Sequence, residues 1–223
     1  MTAYSDHDCA VILDDGAPET AHREIEALRG PGLDLMVMSL GGFERYAAWG
    51  SPDAWYRYSC VRLRALVDKT GRLQPMIDAK ACVPAEAAGD FIDASLDHAI
   101  NQAYRGLKSL RDGDPVASRL EAAEGVAPLL NAAFALHGGR LRPYYKYLAR
   151  ELAIDPLNRL GFDGEVLQRK LVSILTDGPA ALSWLLARSR AAFREAGHDS
   201  VFLGWDALDW ILAGKPAGAP HEA

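Results

Sequence analysis

Ser5-Asp6-His7-Asp8-Cys9-Ala10-Val11-Ile12-Leu13 sets two carboxylates directly ahead of an apolar run, and its reading decides the fold. Cys9 to Leu13 is bounded by Asp8 on one side and by Asp14-Asp15-Gly16 on the other, the pattern of a buried strand ending in a turn. Strand side chains alternate between faces, so Asp6 and Asp8 share one face while His7 points to the other. Two carboxylates so placed repel at neutral pH unless a cation lies between them. Hard oxygen ligands of this kind suit Mg²⁺, which takes one or two carboxylates together with substrate phosphates. A solvent-exposed loop with two ordinary acids is the plain alternative.

Moving outward, Pro18 and Glu19 open a helix that runs to about Arg29, with Pro near its first position and acid in its first turn. Gly30-Pro31-Gly32 stops it, and Leu33 to Ser39 (LDLMVMS) is a second strand. An acid inside that apolar run is costly unless it faces water or a ligand. If the two strands are neighbours, Asp34 completes a three-carboxylate site with Asp6 and Asp8, able to clamp a metal and to deprotonate a hydroxyl. An edge-strand Asp34 facing water is the competing reading. Phe43 to Tyr58 reads as helical, broken at Gly50-Ser51-Pro52. Val61 to Val67 reads as a third strand, with Asp68-Lys69-Thr70-Gly71 as a hairpin turn into Arg72 to Ile77. Asp68 is a reserve candidate for the third carboxylate.

After Pro84 the chain becomes helical. Ile92, Leu96, Ala99, Ala103, Leu107 and Leu110 recur at three- and four-residue steps along one face. A second helix carries Leu120, Ala123, Ala127, Leu130 and Phe134, and Arg142-Pro143 opens a third from Tyr144 to about Ala153. Further helices are expected around residues 166–175, 180–196 and 201–213. The expected class is α+β: an α/β domain over residues 1–83, then a helical bundle over 84–223.

Ser-Asp-His-Asp followed by Cys-Ala-Val-Ile-Leu resembles the S-D-x-D strand of the polymerase-β-like nucleotidyltransferase superfamily, and within it the aminoglycoside and other small-molecule nucleotidyltransferases. In that family the aspartate pair is followed by a helix and then a strand bearing a third acid, the position of Asp34 here. A helical C-terminal domain follows, and the segment Arg142 to Leu148 (RPYYKYL) resembles a stretch of such domains. The resemblance implies Mg²⁺ held by Asp6, Asp8 and Asp34, with ATP or another NTP as co-substrate and Ser5 beside the nucleotide. Asp34 would also deprotonate the acceptor. The family places a G-S motif roughly ten residues before the aspartate pair, where backbone N–H groups hold phosphates. Only Met1 to Tyr4 precede the motif here, so the fold is expected to be incomplete at its start, the chain being a fragment or mis-started form, or else a decayed copy.

Nucleotidyl transfer needs cations against the leaving pyrophosphate. Arg105 and Lys108, three apart and on one helix face with Asn101, are candidates, and the resemblance favours Lys146 for the triphosphate. Glu121 and Glu124 are candidates for an acidic pocket around an amine-bearing acceptor. No histidine has a metal-ligand partner at helical spacing; His98, His137 and His198 read as helix-surface or helix-end residues. Cys9, Cys60 and Cys82 lack metal spacing and read as small buried hydrophobes. The formal net charge is −6 and no Lys/Arg block is present, which argues against a nucleic-acid partner. Neither a signal peptide nor a membrane-length apolar run is present, so a cytoplasmic protein without membrane association is expected. The expected function is transfer of a nucleoside monophosphate from Mg-NTP to a hydroxyl of a small-molecule acceptor. The alternative is a non-catalytic relative that binds a nucleotide or a protein.

Overall fold

β1 (His7–Leu13) and β2 (Leu33–Ser39) pair in parallel through the crossover helix α1 (Glu19–Glu26), in a computed structural model that describes residues 7–215. Parallel neighbours require such a crossover, and the Gly30-Pro31-Gly32 stop returns the chain to the start of the sheet. Gly32 takes φ +81°, a left-handed conformation open to glycine at no steric cost. Ser39 ends β2 and caps α2 (Leu40–Arg45), its hydroxyl accepting from Gly42 N at 3.1 Å. Asp15, after β1, accepts from Gly41 N at 2.7 Å and ties the carboxyl ends of the two strands together.

The chain divides into two units, the first comprising residues up to Arg57 together with Arg64–Lys80. Beyond the sheet this unit is not the β-hairpin the sequence predicts. Residues 61–67 and 72–77 form no strands: Ala54–Arg62 is a 3-10 segment and Leu73–Lys80 is α3. The Asp68 carboxylate accepts from Leu73 N at 2.9 Å and from Gln74 N at 3.1 Å, so it satisfies the free N–H groups of a helix start instead of turning a hairpin. Pro75 in the first turn of α3 suits that role, and Leu66 at 93% and Val67 at 70% exposure have no core to face. Phe43 to Tyr58, expected to be helical with a break at Gly50-Ser51-Pro52, is helical only at its two ends: α2 stops at Arg45 and the 3-10 segment begins at Ala54. Two buried cations brace the segment that follows. Lys80 Nζ donates to the carbonyls of Glu44 and Tyr46 at 3.0 and 2.6 Å, and Arg57 donates to those of Ala47 and Ala79 at 3.3 and 2.6 Å.

The second unit, Tyr58–Leu63 with the chain from Ala81 onward, is helical. Its centre is α4 (Ala88–Arg111), in contact with α5 (Pro115–Glu124), α6 (Val126–Leu136) and α9 (Pro179–Glu195). Ile92, Leu96, Ala99, Ala103 and Leu107 are buried as their spacing predicts, each large side chain worth about 2 kcal/mol on burial. The second predicted helix is two, because the chain breaks at Gly125. α5 also presents a different face from the one predicted: Leu120 is 63% exposed while Ser118 and Ala122 are buried. The reason is close approach. A Cβ on Gly106 would lie 3.1 Å from Ser118 O, and one on Gly125 would lie 2.5 Å from Leu182 Cδ2, so small residues set this seam. Arg142-Pro143 leads first into a 3-10 turn (Tyr145–Tyr147) and then into α7 (Leu148–Ile154). α8 (Gly164–Asp177) precedes α9, and the last predicted helix splits into α10 (Asp199–Leu203) and α11 (Leu208–Ala213) around Gly204-Trp205. Among the described residues no helix is long and apolar enough to cross a membrane.

Candidate functional site

The parallel register pairs Asp8 directly with Asp34. Residues so paired project from the same face of a sheet about 5 Å apart, so two carboxylates that lie 26 positions apart in sequence become immediate neighbours. Both are exposed, as is Cys9 beside them, which corrects the expectation that Cys9 is buried. The exposure has a simple cause: α1 and α2 contact the sheet, but the first three positions of β1 remain uncovered. Ser5 and Asp6 lie outside the described residues. Among the described residues no group of three His, Cys, Asp or Glu side chains converges in a way that would hold a metal.

Among the described residues Asp34 has one ion-pair partner. Arg29, just after α1, places Nε 3.6 Å from Asp34 Oδ1, and its Nη2 donates to Leu35 O. With side chains 57% and 65% exposed, the pair is a loose surface contact that a stronger cation can displace. The carboxylates stand at the amino ends of the strands. At the carboxyl ends, the Gly41 N–H first and the Ser39 hydroxyl second hold Asp15 below the usual carboxylate range.

The remaining sequence-predicted residues are distributed over the second unit and mostly have partners. Arg105 makes a two-pronged bond to Glu121, Nε and Nη2 donating at 2.8 and 2.6 Å. That pairing uses one candidate cation and one candidate acceptor-pocket acid on each other, while Glu124 accepts from Gln102 Nε2 at 3.0 Å. Lys108 Nζ lies 5.1 Å from the centre of the Tyr104 ring, and Lys146 Nζ 5.5 Å from that of Tyr147. Asp68, the reserve carboxylate, is spent on capping α3.

His137 closes α6. Its Nδ1 is 2.7 Å from Ala133 O and its Nε2 accepts from Arg159 N at 3.2 Å, while burial lowers its pKa; it is a neutral structural ring. His198 Nδ1 is 2.7 Å from Asp93 Oδ1. An open groove of about 510 Å³ lies beside that pair, lined by Asp93, Asp97, Ser200 and Trp205, with the Trp205 indole donating to Asp97 at 3.0 Å.

Nothing in the order of residues announces the group around Glu151. This carboxylate is 5% exposed and accepts from Tyr58 Oη at 3.0 Å, Arg62 Nε and Nη2 at 3.0 and 2.9 Å, and Arg150 Nη2 at 3.2 Å. Burial first, and the hydrogen bond to Glu151 second, push the Tyr58 hydroxyl up to about 12. Arg150 is next to Glu151 in sequence, but Tyr58 and Arg62 lie 93 and 89 positions away, and no local pattern announces their contact. Comparison of the chain with protein-family models, with curated proteins and with solved structures finds no match.

Proposed function

We propose that the chain carries a Mg²⁺-dependent nucleotidyltransferase site built on Asp8 and Asp34, which acts on a small-molecule hydroxyl. The observation that carries the reading is the register of β1 on β2: a strand–helix–strand unit sets two exposed carboxylates side by side, with one loosely held arginine as neighbour. Such a donor set fits Mg²⁺, which needs one or two carboxylates and takes phosphate oxygens for the rest. Asp8 and Asp34 would hold the ion, whose part is to offset charge on the nucleotide phosphates. Asp34 then receives the proton of the acceptor hydroxyl as its oxygen bonds to the α-phosphorus. The bond from that phosphorus to the bridging oxygen breaks, and pyrophosphate leaves with the electron pair. The acidic balance of the chain suits a cationic acceptor such as an aminoglycoside, and a cytoplasmic setting supplies the nucleotide.

The Arg29–Asp34 contact favours a second reading, a non-catalytic module that binds a nucleotide or a protein without metal. Calorimetric titration of a non-hydrolysable ATP analogue, with and without Mg²⁺, into wild type and Asp8→Asn separates the two. Binding that requires both Mg²⁺ and Asp8 is expected. Nucleotide binding indifferent to both, or no binding by a demonstrably folded chain, overturns the catalytic reading.

A further inference from the structure

Glu151 is a single buried anion shared by two guanidinium groups. Arg62 Nε and Arg150 Nη2 both donate to Oε1, at 3.0 and 3.2 Å, so the two like charges stand in immediate proximity. Burial alone would raise the Glu151 carboxyl, but hydrogen bonds from Arg62, Tyr58 and Arg150 outweigh it and hold the group ionised below the usual value. Tying the Tyr58–Leu63 segment to α7 needs one guanidinium. Arg150, next to Glu151 on α7, brings a second guanidinium to the same carboxylate oxygen.

Both arginine side chains remain 48% exposed. Arg62 commits Nε and Nη2 to Glu151, and among the described residues Nη1 has no partner. Arg150 stacks over Tyr147 with its guanidinium carbon 4.5 Å from the ring centre, and Lys146 lies over the same ring at 5.5 Å. Among the described residues no other carboxylate makes an ion pair with these three cations. In a chain of formal net charge −6, two guanidinium groups therefore share one buried anion that orients them before any ligand arrives, and Lys146 stands over the ring that Arg150 covers.

We propose that Arg62 and Arg150, oriented by Glu151 and flanked by Lys146, form a binding site for a phosphate-type oxyanion. A guanidinium presents paired N–H donors in a rigid fork that matches phosphate oxygens, and here the carboxylate fixes its rotamer, so less freedom is lost on binding. Lys146 adds a point charge beside the fork, and Tyr58 and Tyr147 give the site apolar walls. The inference does not rest on nucleotidyl transfer, although Lys146 is also the cation the resemblance sets beside the triphosphate: its two arginines belong to the second unit, and it asks only for a phosphate group, free or at the end of a nucleotide.

The test is a titration without Mg²⁺, so that the result is independent of the carboxylate pair on the sheet. Inorganic phosphate and a non-hydrolysable ATP analogue are added in separate arms, and the Nε–Hε resonances of Arg62 and Arg150 are followed by NMR. Saturable shifts in both resonances are expected. Arg150→Gln, which leaves the Arg62–Glu151 bond in place, should weaken binding about tenfold, and Arg150→Lys should restore part of it. Shifts with phosphate identify a free phosphate or monoester as sufficient, and shifts with the analogue alone identify a nucleotide; either supports the site. No saturable shift with either ligand, or equal affinity in folded Arg150→Gln, overturns it.

Discussion

The two-stranded sheet and the long helix α4 were equally legible as apolar patterns, yet they are buried to very different degrees. Along α4 the residues Leu96, Ala99, Ile100, Ala103 and Leu107 are wholly excluded from solvent. Along the sheet only Leu35 is buried, and β1 has no buried residue. A helix needs one covered stripe, and α5, α6 and α9 supply it for α4. A parallel strand with apolar residues on both faces needs two covering layers. The contrast teaches that apolar periodicity reports what a segment can bury, while the number of neighbours decides what it does bury.

The largest expected effect tests that contrast directly. Leu107→Ala removes a fully buried side chain from the α4 core and should cost about 3 kcal/mol, by lost transfer energy and the cavity left behind. Val11→Ala, at a half-buried position of β1, should cost less than about 1 kcal/mol. Urea unfolding of the two variants measures both. Equal losses would mean the strand is covered as thoroughly as the helix and would erase the distinction.

Glu151 supplies the next effect, and it sharpens the comparison because a polar group here is as buried as the apolar core. Glu151→Gln should cost about 2 kcal/mol at neutral pH, since charge-assisted bonds from two arginines are weakened together. The pH dependence follows from the direction of the shift. The folded carboxyl titrates below the ordinary value of 4.5, so its stabilisation is fully present above that pH and is lost as pH falls through the lowered folded value. Thermal unfolding of wild type and Glu151→Gln should therefore converge in acid. A difference that stays constant on acidification would show that the charge contributes nothing to the hub.

How much of this was readable from residues alone depends on the range of the interaction. β1, α1 and β2 follow from local apolar runs and a Gly-Pro-Gly stop, and the α4 stripe follows from its period. The hairpin expected after Val61 failed because Asp68 has two roles open to it: the same Asp-Lys-Thr-Gly sequence turns a hairpin or caps a helix, and Pro75 favours the helix. Leu120 was assigned to the core because periodicity does not register that Gly106, Ser118 and Gly125 draw the helices together on a neighbouring face. Within the candidate site, the face shared by Asp8 and Asp34 was conditional on two strands pairing, and the register supplies that condition. The Glu151 hub brings in Tyr58 and Arg62 from too far along the chain for any motif to relate them.

The smallest effect is expected where the candidate site itself lies. Asp34→Asn removes an exposed charge that has Arg29 at 3.6 Å on one side and Asp8 in register on the other. The lost attraction and the relieved repulsion oppose each other, both screened by solvent, so the net change should stay within about 0.5 kcal/mol. Added salt should shrink it further, because neither contact is shielded from the ionic atmosphere. Thermal unfolding at low and high ionic strength measures this. A site whose carboxylates serve a ligand can lose one without harm to the fold, whereas a loss above about 2 kcal/mol would mark Asp34 as a structural anchor. In that case the sheet would resemble the Glu151 hub in kind, with charge held for the fold's sake, and the comparison that separates the two regions would fail at the residue on which the catalytic reading depends.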